Sequence, residues 1–163
     1  MPQRNSYQVT TNTAVVGKNA KDLTVHGTLT ALSQKRNTGV ALYTSYRERD
    51  MYDHNNDNYS ELPKLENNSF GLNSFFNLDK NQKLEVNFSS MYEYRYGGEM
   101  VDKPAYQAKQ SEERTHNILM AGINYDFISN DNQTSFSLYT AGQNTRRRHF
   151  TGIAPDGEAE LQE

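Results

Sequence analysis

Between residues 83 and 96 the sequence K-L-E-V-N-F-S-S-M-Y-E-Y-R-Y separates into two sets spaced two apart. Leu84, Val86, Phe88, Ser90, Tyr92, Tyr94 and Tyr96 make one set; Glu85, Asn87, Ser89, Met91, Glu93 and Arg95 make the other. Successive side chains of a strand point to opposite faces, so the stretch reads as one long β-strand, apolar or aromatic on one side and polar on the other. One side meets something oily and the other meets water. A soluble sandwich satisfies that requirement, and so does the wall of a transmembrane barrel.

The same alternation recurs along the chain and predicts strands at about 6–16, 22–33, 38–50, 68–78, 83–96, 115–128 and 134–145. The oily sets are Tyr7, Val9 and Val15; Leu23, Val25 and Leu29; Val40, Leu42 and Tyr46; Phe70, Leu72 and Phe76; Leu119, Ile123 and Tyr125; and Phe136 and Leu138. Polar turns at 35–37, 79–82 and 130–133 follow the second, fourth and sixth strands, whereas the connections after the third and fifth run over 51–67 and 97–114. Short turns at one end and long loops at the other, with the short connection after the first strand as the one exception, give an all-β, antiparallel up-and-down meander of about seven long strands. Such a meander suits an open segment of a transmembrane β-barrel. The strands also exceed the usual five or six residues and match the 9–11 or so that a tilted bilayer crossing needs.

Composition narrows the choice. Only 34% of the 163 residues are hydrophobic, there is no Trp, and Asn, Thr, Ser and Gln recur inside the predicted strands, as in strands lined by water. The absence of Cys excludes disulfides, thiolate metal sites and Cys nucleophiles. Net charge is −3 with both signs mixed, so no basic surface points to nucleic acid. The one dense run, Arg146-Arg147-Arg148, reads as a solvated strand end. No apolar run is long enough for a transmembrane helix, which says nothing against a barrel.

Two segments carry a family likeness. R-E-R-D-M-Y-D-H-N-N-D-N-Y-S-E-L-P-K-L-E-N-N-S-F-G at 47–71 and M-Y-E-Y-R-Y-G-G at 91–98 resemble the barrel of TonB-dependent outer-membrane receptors, closest to the cobalamin-receptor-like branch. The likeness spans about residues 5–152 and corresponds to the first strands after the plug domain. It implies energised uptake of a scarce ligand, such as cobalamin, a siderophore or a glycan, across the outer membrane of a Gram-negative bacterium. The implied partners are the lipid bilayer, the parent chain's plug domain and the inner-membrane TonB complex, with a small-molecule cargo. Such barrels have about 22 strands. The chain, with no plug, TonB box or closing strand and no apolar leader at residues 1–4, is therefore expected to be the N-terminal part of a barrel, residues 1–163 forming one partial domain.

Three groups of residues carry candidate sites. Asp53, Asn55, Asp57, the Tyr59 carbonyl and Glu61 alternate oxygen donors in the D-x-N-x-D-x-x-x-E spacing that hard cations favour, making Ca²⁺ the one cofactor the sequence suggests. The match to an EF-hand loop is partial, because Asn58 replaces the usual Gly and Lys64 the twelfth-position Glu. Cobalamin-transporting relatives that bind calcium in outer loops add to this reading. Lys103, Tyr106, Lys109 and Gln110 lie in the second long connection, where a receptor would touch its cargo. Arg47, Glu85, Asn87, Glu93 and Arg95 fall on the wet faces and are expected to line a lumen, the two glutamates too far apart for a catalytic pair. His26, His54, His116 and His149 have no metal-ligand spacing, and no nucleophile sits beside a base, so an enzyme is not expected. Two readings stay open beside the transporter: a soluble or surface-attached all-β binding module, such as an adhesin or glycan-binding domain, and a diffusion porin.

Overall fold

The computed structural model describes residues 4–17 and 19–153. Seven strands form one antiparallel sheet in sequence order: β1 (Ser6–Val16), β2 (Ala20–Leu32), β3 (Thr38–Arg49), β4 (Lys64–Asp79), β5 (Gln82–Gly98), β6 (Gln110–Ile128) and β7 (Ser135–Ile153). The sheet is open, since β1 and β7 do not pair with each other. A single 3₁₀ turn, Ala105–Gln107, is the other regular element among the described residues.

Four strands outrun their sequence pattern. β4 begins at Lys64 rather than 68, β5 continues to Gly98, β6 begins at Gln110 rather than 115, and β7 reaches Ile153. The long connections contract accordingly, to residues 50–63 and 99–109. Arg146, Arg147 and Arg148 are not a strand end: they pair with Asn117, His116 and Thr115 inside the β6–β7 ladder. Gln110 likewise opens β6 instead of lying in a loop.

The register places all seven oily sets on one side. Paired residues share a face in an antiparallel sheet, and Tyr7, Leu29, Leu42, Leu72, Phe88 and Ala121 form one unbroken cross-strand row. The apolar stretch on this face covers residues 7–15 on β1, 23–31 on β2, 70–78 on β4, 84–92 on β5 and 119–127 on β6, with no charged residue on that face within it. Nine residues of strand span about 27 Å.

The edges of this apolar band do not follow the rows. At its lower edge, Tyr7 lies in the row of Phe88, whereas Phe136 lies in the row of Gln82, so the edge drops six residues over the six steps from β1 to β7. At its upper edge, Leu23 lies in the row of Tyr94 and Leu119 in the row of Ser90, four residues over the four steps from β2 to β6. One residue of about 3.4 Å per strand spacing of about 4.8 Å inclines both edges by about 35° to the rows. The band is a slanted stripe of constant width.

Nothing among the described residues covers that stripe. No large side chain is fully buried, and Tyr7 (85% exposed), Val9 and Leu138 stand open. Burial instead concentrates on the opposite face and around the long connections. Phe75, on the polar face, is 7% exposed because it lies across from Gly39, where a Cβ would come within 2.4 Å of its ring. Tyr43 covers Gly71 in the same way, with a Cβ there 1.9 Å from the ring. An aromatic ring lying on a cross-strand glycine shields backbone that would otherwise meet water.

The short turns share one chemistry. In the β2–β3 turn Ser33 N–H donates to Thr38 O, Arg36 N–H to Ser33 O, and Thr38 N–H to Ser33 Oγ. The β6–β7 turn repeats this with Ser129, Asn132 and Thr134. Arg36 and Asn132 each take the left-handed conformation that reverses the chain, at φ 55° and 57°. Between them the tight β4–β5 turn donates through Asn81 Nδ2 to Ile128 O, and Asn77 N–H donates to Asn37 O, so the three turns form one bonded rim.

Candidate functional site

The two long connections meet at the opposite end of the sheet. Residues 50–63 leave β3 through a two-residue bridge in which Tyr52 and Leu62 exchange N–H···O bonds of 3.1 and 3.2 Å. Beyond it the chain turns twice through left-handed Asn56 and Asn58, a conformation asparagine tolerates. Side-chain carboxylates replace the missing backbone partners: Asp53 accepts from Asn56 and Asn58 N–H, Asp57 from Tyr59 N–H, and Glu61 from His54 N–H. Such Asx-type bonds explain why an Asp- and Asn-rich stretch folds here.

This folding brings Asp53, Asp57 and Glu61 together, with a carboxylate oxygen from each within 4.8 Å of the others. Asn55 is spent within the loop, its Nδ2 donating to Asp57 and its Oδ1 accepting the Asp57 N–H. Tyr59 pairs with Glu99 of the second connection. The three carboxylates fit a hard cation in donor type, since each oxygen retains a lone pair after accepting one N–H.

The loop is fastened to the end of β5. Ser60 N–H donates to Gly98 O and Gly98 N–H to Ser60 Oγ, both at 2.9 Å, and Met100 N–H reaches Asn58 O. Gly98 adopts φ 112°, and a Cβ there would stand 2.3 Å from Gln110 O, so only glycine serves. The Arg49 guanidinium donates twice to Pro63 O and fixes the other root of the loop. In the second connection, Ser111 Oγ donates to Ala105 O and Lys109 N–H to Glu99.

Beneath the first loop, on the polar face, lies an open groove of about 980 Å³ whose walls include Tyr59, Ser60, Arg95, Glu112, Arg114 and Thr151. Its arginines are paired, Arg95 with Glu93 at 2.9 Å and Arg114 with Glu112, which also lies 3.5 Å from His149 Nε2. A groove of hydroxyls, glycine backbone and ion pairs can bind a polar solute through hydrogen bonds.

The residues expected to line a lumen share this face. Arg47, Asn67 and Glu93 form one row, and Asn87 and Glu85 pair with Asn73 and Phe75. Arg47 is held by Asp22 in a bidentate pair at 2.6 and 3.0 Å, Glu85 by Lys83, and Asn87 lies against Gly122. The four residues expected to touch cargo do not converge. Lys103 borders a hollow with Tyr94 and Tyr96 on the apolar side, whereas Gln110 lines the groove on the polar side; Tyr106 and Lys109 are exposed. Glu112, Arg114 and Thr151 were hidden from sequence reasoning because their contacts arise from strands paired far apart in the chain. The Gly97-Gly98 pair was the available signal, marking a place where another chain segment comes close.

Comparison with protein-family models, with curated proteins and with solved structures finds no match.

Proposed function

We propose that this chain is part of the wall of an outer-membrane β-barrel of the TonB-dependent receptor kind. In this reading its long-loop end captures a scarce small-molecule cargo for energised uptake in a Gram-negative bacterium. The slanted apolar stripe carries the reading. In an outer-membrane barrel the strands tilt by about 35–45° and present an apolar band about 25 Å tall. A stripe inclined by about 35° and about 27 Å long along the strand has a height of about 22 Å normal to its edges. The stripe thus matches the bilayer in tilt, height and freedom from charge together, while the polar face carries Glu85, Asn87 and Glu93 at the same levels. A soluble binding module would need a second layer over the stripe.

The edges of β1 and β7 need partners in such a wall, because each unpaired backbone group in hydrocarbon costs several kcal/mol. Further strands therefore stand beside both, and a plug domain beside the polar face. Against a diffusion porin, the reading rests on the likeness at 47–71 and 91–98. The same reading has Asp53, Asp57 and Glu61 bind calcium: the expected outcome is that millimolar Ca²⁺ slows proteolysis within 50–63 and that Glu61→Gln abolishes the effect. Unchanged cleavage would remove calcium from the account.

The wall is tested by single-cysteine scanning, for which the chain is already free of cysteine. With the chain reconstituted in phosphatidylcholine vesicles as part of its complete barrel, cysteines at Val86, Phe88 and Ser90 should resist a water-soluble maleimide and those at Glu85, Asn87 and Ser89 should react. Equal reactivity of the two sets would defeat the proposal.

A further inference from the structure

At the upper edge of the stripe three cross-strand rows follow one another. Thr44, Phe70, Ser90, Leu119 and Asn144 make the first; Tyr46, Asn68, Tyr92, Asn117 and Arg146 the second; Glu48, Glu66, Tyr94, Thr115 and Arg148 the third. An open hollow crosses the sheet from β3 to β7 along the first two rows. Its floor is apolar at Phe70 and Leu119, and its upper wall carries phenol, amide and guanidinium groups. The change from hydrocarbon-like to hydrogen-bonding surface takes place within one groove.

Arg146 lines the β7 end of this groove and Arg148 stands one row above it, both on the same face as the stripe. Every arginine in the preceding strands is held: Arg47 by Asp22, Arg49 by Pro63 O, Arg95 by Glu93 and Arg114 by Glu112. Arg146 and Arg148 are exposed and make no ion pair among the described residues. Of the acidic residues of this face, Glu48 and Glu66 sit at the far end of the third row, on β3 and β4, and Glu113, on β6 one row above Arg148, accepts from the Tyr94 hydroxyl at 3.0 Å. Continued from Leu119 at one residue per strand, the upper edge of the stripe crosses β7 between Gly142 and Asn144, which puts Arg146 two to four residues above it.

We infer that this groove binds the phosphate headgroup of an anionic membrane lipid, with Arg146 and Arg148 as its guanidinium donors and the lipid's acyl chains lying down the stripe over Phe70 and Leu119. The inference rests on the barrel-wall reading. Guanidinium forks match phosphate oxygens bidentately, and Tyr46 and Tyr92 are amphipathic groups suited to that depth. A free phosphate would use the arginines but not the apolar floor. An amphiphile uses both, which is why the occupant is a lipid.

The test places a fluorophore on Thr140→Cys, on the stripe side of β7 below both arginines, with the chain in its complete barrel reconstituted in phosphatidylcholine vesicles. Quenching by acyl-brominated phosphatidic acid is compared with quenching by acyl-brominated phosphatidylcholine at equal mole fraction. Phosphatidic acid should be enriched at the label, by roughly fivefold for each arginine, and Arg146→Gln with Arg148→Gln should equalise the two lipids while phosphatidylcholine still quenches. Equal quenching in the unsubstituted chain, or a preference that survives both substitutions, overturns the headgroup site and leaves the wall standing. Absence of quenching by either lipid overturns the wall and the site with it.

Discussion

The two faces of this sheet share a backbone, a register and a set of turns, yet they are stabilised in different ways. The polar face fills its own space: Tyr43 lies over Gly71, Phe75 over Gly39, and Asp22 with Arg47 and Glu93 with Arg95 close ion pairs along it. The other face makes few such arrangements beyond tilted aromatic pairs, Phe70 with Phe88 at 6.5 Å between ring centres and Phe136 with Tyr125 and Phe127 at 5.8 and 5.5 Å. The polar face carries local specificity in its pairs; the apolar face carries only uniformity, with no charge over 84–92 on β5 or 119–127 on β6. Side-chain detail matters on the first face, and on the second what matters is the medium that covers it.

The largest way to break that comparison is to put a charge in the middle of the stripe. Phe88→Arg should destabilise the chain in a bilayer by about 2–4 kcal/mol, the cost of an arginine at the midplane of a barrel wall. Asn87→Arg, one residue away and facing the other side, should change stability by under about 1 kcal/mol. Urea unfolding in phosphatidylcholine vesicles measures both. Similar losses at the two positions would mean that the faces do not differ in environment.

A smaller effect is expected from crowding the face that has fitted pairs. Gly71→Val pushes its side chain into the ring of Tyr43 and should cost about 1–3 kcal/mol, as overpacking does. Gly142→Val, where a Cβ would meet no atom within 4 Å on the stripe side, should cost much less. The difference in urea midpoint between these two variants is the measurement, and it reverses if the stripe is the packed face.

How far the sequence revealed this division follows from where its period is visible. Every oily set landed on one face, because two-residue alternation survives wherever one side is apolar. The strand ends were lost for the same reason: beyond the stripe, at Lys64–Glu66, at 110–114 and at 146–153, polar and charged residues occupy both faces, with Leu65, Phe150 and Ile153 too scattered to carry an alternation. The slant was invisible too, since it is a relation between strands. Asp53, Asp57 and Glu61 were legible as a group because their bonds are local, whereas the groove beside them depends on Ser60 meeting Gly98 across 38 residues. Phe75 reads as a water-facing residue until Gly39 is placed opposite it.

The rim of short turns belongs to neither face and sharpens the comparison by serving as its reference. Ser129→Ala removes the hydroxyl that accepts from Thr134 N–H at 3.0 Å, and Ser33→Ala removes its counterpart at Thr38, accepting at 3.1 Å. Each should cost about 0.5–1.5 kcal/mol, and by similar amounts, because the two turns share one hydrogen-bond pattern. The Ser129 change has a second readout. Its hydroxyl donates to Asp131, and that bond, with the Gln133 N–H at 3.1 Å, holds the Asp131 carboxyl below the usual carboxylate range. A group whose pKa is lowered by folding adds stability above its unfolded pKa, near 4, and loses it as pH falls through the lowered folded value. Asp131 should therefore stay ionised at a pH where free aspartate is half protonated, and Ser129→Ala should move its titration back upward. The carbon-13 shift of its carboxyl against pH reads this directly. A titration unmoved by Ser129→Ala would mean the hydroxyl does not hold the carboxylate, and the turn would then owe its order to the backbone bonds of Ser129 and Asn132 alone.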